Sequence, residues 1–143
     1  MQADRSTPGP CATHAGVRTV LVTDDDARMR RFVQRMVELR VPDVTVVTAS
    51  DGPDAWRVYA SSHPDLVITN LMKAGFTGYE LIRRIREHDT TTRILVITSS
   101  SDAESRREAF ELGADSYLCE PCGSSDLLPA VTALLPNKQA VER

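Results

Sequence analysis

The chain has 143 residues, enough for one ordinary domain and too few for two. Hydrophobic residues make up 41%, the formal net charge is −3, and three cysteines are too few to act as a disulfide scaffold. The basic residues read as scattered, which argues against nucleic acid as the main partner. No apolar run approaches the roughly 18 residues that span a bilayer. The N-terminus lacks a charged-then-apolar leader, so the sequence alone points to the cytoplasm.

Pro8, Gly9, Pro10 and Gly16 punctuate residues 1–16, which read as a flexible tail. The folded unit is expected over 17–135, with a short C-terminal tail over 136–143. The apolar run at Thr19–Thr23 predicts a first strand, closed by Asp24-Asp25-Asp26. Met29, Phe32, Val33, Met36 and Val37 then recur at helical spacing, with one of the three aspartates as N-cap and Pro42 as terminator. Val44–Ala49 predicts a second strand. After Asp51-Gly52-Pro53, Ala55, Val58 and Tyr59 mark the inner face of a second helix.

Pro64-Asp65 turns the chain into Leu66-Val67-Ile68-Thr69-Asn70, an apolar strand that stops at a single amide. A loop over 73–77 leads to a third helix from about Gly78, burying Leu81, Ile82 and Ile85. Ile94–Thr98 predicts the fourth strand. Ser101 and Glu104 have the spacing of a capping box for a fourth helix, whose thin apolar stripe suggests loose attachment. Gly113 suits its left-handed terminus. Ser116–Cys119 predicts the fifth strand. A fifth helix carries Leu127, Leu128, Val131, Leu134 and Leu135, with Pro129 expected in about its first turn.

Continuous apolar strands alternating with amphipathic helices describe a parallel sheet covered on both faces, a doubly wound (βα)5 α/β fold with right-handed crossovers. In such sheets ligands meet the carboxyl ends of the strands. The acids after strand 1, Asn70 and Thr98 should therefore converge.

Four segments, in this order, resemble the receiver domain of bacterial response regulators, the CheY-like family. Val-Thr-Asp-Asp-Asp-Ala-Arg-Met-Arg resembles the family's first strand and acidic pair. Ile-Thr-Asn-Leu-Met-Lys-Ala-Gly-Phe-Thr-Gly-Tyr-Glu-Leu resembles the phosphoacceptor strand and its loop. Val-Ile-Thr-Ser-Ser resembles strand 4, and Gly-Ala-Asp-Ser-Tyr-Leu-Cys-Glu-Pro resembles strand 5. The resemblance spans about Arg18 to Leu135. It implies that Asp24 and Asp25 hold a divalent metal, that Thr98 and Tyr117 are the switch pair, and that Pro121 is the proline after strand 5, a candidate for a cis peptide bond.

The departures from the family pattern are chemical. Asn70 stands where the family has its phosphoacceptor aspartate, Glu120 where it has a lysine, and Lys73-Ala74 where it has Met-Pro. An acyl phosphate forms when a carboxylate oxygen attacks phosphorus. A carboxamide has no negative charge, and its nitrogen lone pair is delocalised. Glu120 would repel the phosphoryl oxygens that a lysine would neutralise. Asp24, Asp25 and Glu120 together carry −3, and such crowding raises pKa values unless something relieves it. Three routes of relief are open: Lys73 pairing with Glu120 (the favoured one), a weakened Mg²⁺ site using the Asn70 carbonyl oxygen, or a protonated carboxyl.

The sequence thus predicts a pseudo-receiver. It would be a non-enzymatic signalling module, a monomer or weak homodimer, docking proteins through helix 4, strand 5 and helix 5, with no nucleic acid or membrane partner. One alternative is an ordinary phosphorelay receiver whose acceptor Asp has been replaced by Asn. Another is a thiol- or metal-responsive switch built on Cys119 and Cys122. Cys11 and His14 could add two zinc ligands to that pair. The structural readings of the same residues are plainer: helix caps for the aspartates, a strand-end amide for Asn70, core packing for Tyr117 and Cys119.

Overall fold

The computed structural model describes residues 16–71 and 76–136. Lys73, Ala74, Cys11 and His14 lie outside it, with residues 1–15 and 137–143. The Lys73–Glu120 pairing, the four-ligand zinc set and nearly all of both expected tails therefore fall beyond the described residues.

Five strands and five helices alternate. They are β1 (Arg18–Thr23), α1 (Ala27–Arg40), β2 (Val44–Ala49), α2 (Gly52–Ser62), β3 (Leu66–Thr69), α3 (Gly78–His88), β4 (Arg93–Thr98), α4 (Ala103–Leu112), β5 (Ser116–Cys119) and α5 (Ser124–Leu134). All pairings are parallel, in the order β2-β1-β3-β4-β5. This is the doubly wound parallel arrangement expected from the alternation, in a strand order that fits the fold implied by the resemblance.

Side chains alternate across a strand, so an unbroken apolar run feeds two cores at once. Leu21, Val67, Ile94, Val96 and Tyr117 face α2, α3 and α4, where they meet Ala55, Tyr59, Leu81, Ile82, Ile85 and Ala109. Val20, Val22, Leu66, Ile68, Leu95 and Ile97 face α1 and α5, where they meet Val33, Val37, Leu127 and Val131. α4 buries only Ala109 in full, in line with its thin apolar stripe.

Helix boundaries follow local capping. Asp26 caps α1 by accepting from Arg28 N, Asp51 caps α2 through Asp54 N, and Thr77 caps α3 through Glu80 N. Two expectations are corrected. The cap of α4 is Asp102, which accepts from Glu104 N, rather than Ser101 in a box with Glu104. Asp102 adjoins the first helical residue and offers a carboxylate, the stronger acceptor. In α5, Pro129 lies inside the helix and not in its first turn. The start is drawn forward to Ser124 by Asp126, whose carboxylate accepts from Gly123 N at 3.2 Å. The missing proline N–H then leaves the Ser125 carbonyl without its usual helical donor.

Candidate functional site

The parallel sheet brings several strand ends to one edge. β1 and β3 are neighbours with Thr23 opposite Thr69, so Asp24 and Asp25 emerge beside Asn70. β4 and β5 end with Thr98 opposite Cys119, and Glu120 N donates to Thr98 O at 2.7 Å. The backbone at residue 70 is held closely. Asn70 N donates to Thr23 O at 3.4 Å, and the Asn70 carbonyl presses against Gly78, where a Cβ would collide with it.

The centre of the site is an amide between two carboxylates. Asn70 Nδ2 donates to Asp24 Oδ1 at 3.0 Å and to Asp25 Oδ1 at 2.8 Å. Asp24 Oδ1 also accepts from Asp26 N at 2.9 Å, and Arg30 Nη1 donates to the Asp24 carbonyl at 2.7 Å. Asp24 is 6% exposed. Burial pushes its carboxyl up to about 6, against the hydrogen bond from Asp26 N; the charges of Asp25, Glu120 and Asp26 add to the rise. The amide relieves the crowding of acids in a way that sequence reasoning did not consider. It supplies two N–H donors, one to each carboxylate.

The resemblance implies a divalent cation between these acids. Hard cations take oxygen ligands, yet the atom between the two carboxylates is a nitrogen. Asn70 Oδ1, the oxygen expected to join a metal, is buried with no hydrogen-bond partner. Among the described residues no three His, Cys, Asp or Glu side chains are grouped to hold a metal. This arrangement does not fit the cation, and no step is assigned to one.

A second constellation sits beside the first. Thr98 and Tyr117 are both buried, and the Ser100 backbone links them. Ser100 N donates to Thr98 Oγ1 at 3.3 Å, while the Ser100 carbonyl accepts from Tyr117 Oη at 3.0 Å and from Cys119 Sγ at 3.1 Å. Arg106 lies over the rings of Phe110 and Tyr117, at 5.1 and 5.6 Å from their centroids. Sequence reasoning missed Ser100, Arg30 and Gly78. Ser100 acts through its own backbone N–H and carbonyl, and Arg30 through a guanidinium aimed at the Asp24 backbone carbonyl, contacts that side-chain patterns do not reveal. A glycine opening α3 next to the acceptor loop was the only available signal for close backbone contact.

The Glu120–Pro121 bond is cis. Cys119 and Cys122 are free and lie on opposite sides of the sheet. Cys119 follows Tyr117 at strand spacing and bonds the β4–α4 loop, whereas Cys122 packs against the α1–α5 core. Burial raises the Cys122 thiol, and the charges of Asp126 and Glu120 raise it further, so it stays protonated. That placement disfavours a redox or metal-binding pair.

Comparison with known proteins agrees with this fold. A family model described as the response regulator receiver domain matches residues 20–132. The probable transcriptional regulator ycf27 of Guillardia theta is 34% identical over 123 residues, 85% of this chain and 47% of its own length. The response regulator ArlR of Staphylococcus aureus is 31% identical over 126 residues, 86% of this chain and 56% of its own. The chain thus spans about half the length of these curated relatives.

Among solved structures, a two-component response regulator of the LuxR family from Aurantimonas sp. superposes with a TM-score of 0.75 at 32% identity, covering 82% of this chain and 84% of that one. The chemotaxis response regulator CheY4 of Vibrio cholerae gives a TM-score of 0.76 at 26% identity, covering 83% of this chain and 99% of that one. No helix among the described residues is long and apolar enough to cross a membrane.

Proposed function

The chain belongs to the response regulator receiver family, and from that footing we propose that it is a pseudo-receiver, a docking module of two-component signalling that works without phosphorylation at residue 70. One observation carries the reading: the side chain at the acceptor position is an amide whose nitrogen is committed to Asp24 and Asp25. A nucleophile needs a lone pair free to attack phosphorus. The amide nitrogen has its lone pair in the carbonyl π-system and its protons in two hydrogen bonds.

Glu120 works in the same direction. Its charge adds to the rise of the Asp24 carboxyl, so this end of the sheet carries a further negative charge where an incoming phosphoryl group would need a cation. The module would then act by contact rather than by catalysis. The surface we assign to output is formed by α4, β5 and α5. Phe110 is 37% exposed there, stacked under Arg106 and beside Tyr117, and the Ser100 carbonyl ties Tyr117 to the β4–α4 loop. A partner that prefers one position of this loop would bias it through differential affinity alone.

The test is incubation of the full chain with acetyl phosphate and Mg²⁺, followed by intact mass. The expected result is no added mass. A gain of one phosphoryl group mapped to residue 70 would overturn the proposal.

A further inference from the structure

The first turn of α1, the β4–α4 loop and the segment after β5 meet around a cleft of about 470 Å³, lined by Met29, Ser99, Glu120, Pro121 and Cys122. That volume lies within the range of small-molecule sites, roughly 300–1,000 Å³. Three of the five walls are apolar. Met29 and Cys122 both pack on the α1–α5 core. Burial raises the Cys122 thiol, the charges of Asp126 and Glu120 add to the rise, and the group behaves as a small neutral hydrophobe. Pro121 brings a ring with no N–H. The polar walls are Ser99, an exposed hydroxyl, and the half-buried Glu120 carboxylate.

Charge decides what such a cleft can hold. Asp24 and Asp25 at least share the Asn70 amide, but Glu120 has no ion pair among the described residues. Arg30, the arginine joined to this edge, donates to the Asp24 carbonyl and not to a carboxylate. An apolar ligand would strip water from Glu120 and give nothing back, and an anion would be repelled. A hard divalent cation takes about six oxygens or more, and the cleft offers one carboxylate and one hydroxyl. An ammonium on a hydrocarbon arm matches every wall. Its three N–H donors suit Glu120 and Ser99, and its methylenes suit the apolar walls.

We propose that this cleft binds a small primary alkylammonium, a free amine with an unbranched apolar arm, with its nitrogen on Glu120 and Ser99 and its arm against Met29, Pro121 and Cys122. The ligand would join two loops that the fold leaves apart, the one after β4 and the one after β5. Ser99 directly precedes Ser100, whose carbonyl accepts from Tyr117 Oη at 3.0 Å. An amine that prefers one position of the β4–α4 loop would therefore bias it, giving the module a small-molecule input. Binding here does not depend on whether residue 70 takes up a phosphoryl group.

The experiment titrates the full chain with n-hexylammonium, n-butylammonium, methylammonium and 1-hexanol, reading nuclear magnetic resonance shifts. The Ser99, Glu120 and Cys122 amides and the Met29 methyl are expected to move together and saturate with hexylammonium. Affinity should rise roughly threefold per methylene buried along the amine series, and hexanol should bind at least about tenfold more weakly than hexylammonium. Glu120→Gln should weaken hexylammonium by roughly tenfold, and Met29→Ser should flatten the gain with arm length. Both variants are checked for folding by circular dichroism. Glu87→Gln, which removes an exposed acid on α3, should change nothing. Shifts that fail to saturate in the millimolar range would overturn the proposal. So would hexanol binding as tightly as the amine, an affinity indifferent to arm length, or an equal loss in Glu87→Gln and Glu120→Gln.

Discussion

Asn70 Nδ2 lies 3.0 Å from Asp24 Oδ1 and 2.8 Å from Asp25 Oδ1, so one neutral amide serves two acids. Replacing it with a carboxylate converts two donors into a third like charge. Asn70→Asp is expected to lower stability at pH 7 by about 1–3 kcal/mol in the absence of divalent cations. Mg²⁺ should restore more stability to the variant than to the natural chain, since the variant offers oxygen where the amide offers nitrogen. Urea unfolding of both proteins with and without Mg²⁺ makes the measurement; equal responses to the cation would count against the site geometry.

The raised Asp24 carboxyl has a definite consequence for pH. Its folded value is about 6 against an ordinary 3.8, so between these limits the folded chain holds more protons than the unfolded one. Its contribution to stability is therefore full below about pH 4 and is lost as the pH rises through 6. A shift of that size corresponds to about 3 kcal/mol across the window. Asp24→Asn should flatten that part of the stability profile. An unchanged slope between pH 4 and 6 would show that another group is responsible.

Asp89 behaves in the opposite sense. Burial alone would raise its carboxyl, but hydrogen bonds from Thr92 and Thr91 outweigh it and hold the group well below the usual carboxylate range. Its stabilisation is present above the ordinary pKa and disappears as the pH falls below it. The same carboxylate accepts from Tyr59 Oη at 3.0 Å. Burial, with that bond next, raises the Tyr59 hydroxyl to about 12. Asp89→Ala should cost about 2–3 kcal/mol at pH 7 and much less in strong acid, and it should bring the Tyr59 titration, followed by ultraviolet absorbance, back down.

Gly78 supports the acceptor position from behind. A Cβ there would meet the Asn70 carbonyl and the Leu71 backbone, neither of which can rotate away. Gly78→Ala is expected to destabilise the fold by about 2 kcal/mol or more and to disturb the Asn70 amide resonances together with those of Asp24 and Asp25. A silent substitution would mean that the backbone at residue 70 is less closely held than its packing indicates.

Much of this architecture was legible beforehand because each strand states its burial directly. Leu66, Val67 and Ile68 are all apolar because both faces are covered, and Leu81, Ile82 and Ile85 keep strict helical spacing over a single core. The strand-end acids and Asn70 were legible for the same reason: topology puts strand ends together. What escaped was local and backbone-borne. Asp102 displaced Ser101 as a cap by a one-residue difference in where α4 begins. Pro129 ended up inside α5 because Asp126 bonds Gly123 N, a contact with no periodic signature. The orientation of the Asn70 amide could not be read at all, since the sequence does not say which end of a carboxamide faces an acid.

The two cores differ in kind. The layer under α2, α3 and α4 holds Tyr59 and Tyr117, with Trp56, Phe76 and Tyr79 packed at its margin; the layer under α1 and α5 is built from valine, leucine and isoleucine, with Phe32 at its edge. Trp56, the chain's only tryptophan, stacks on Tyr59 at 5.4 Å. A fluorescence melt of this protein therefore listens to one side of the sheet, and if the aliphatic side loosens first, the indole will be the last to report it.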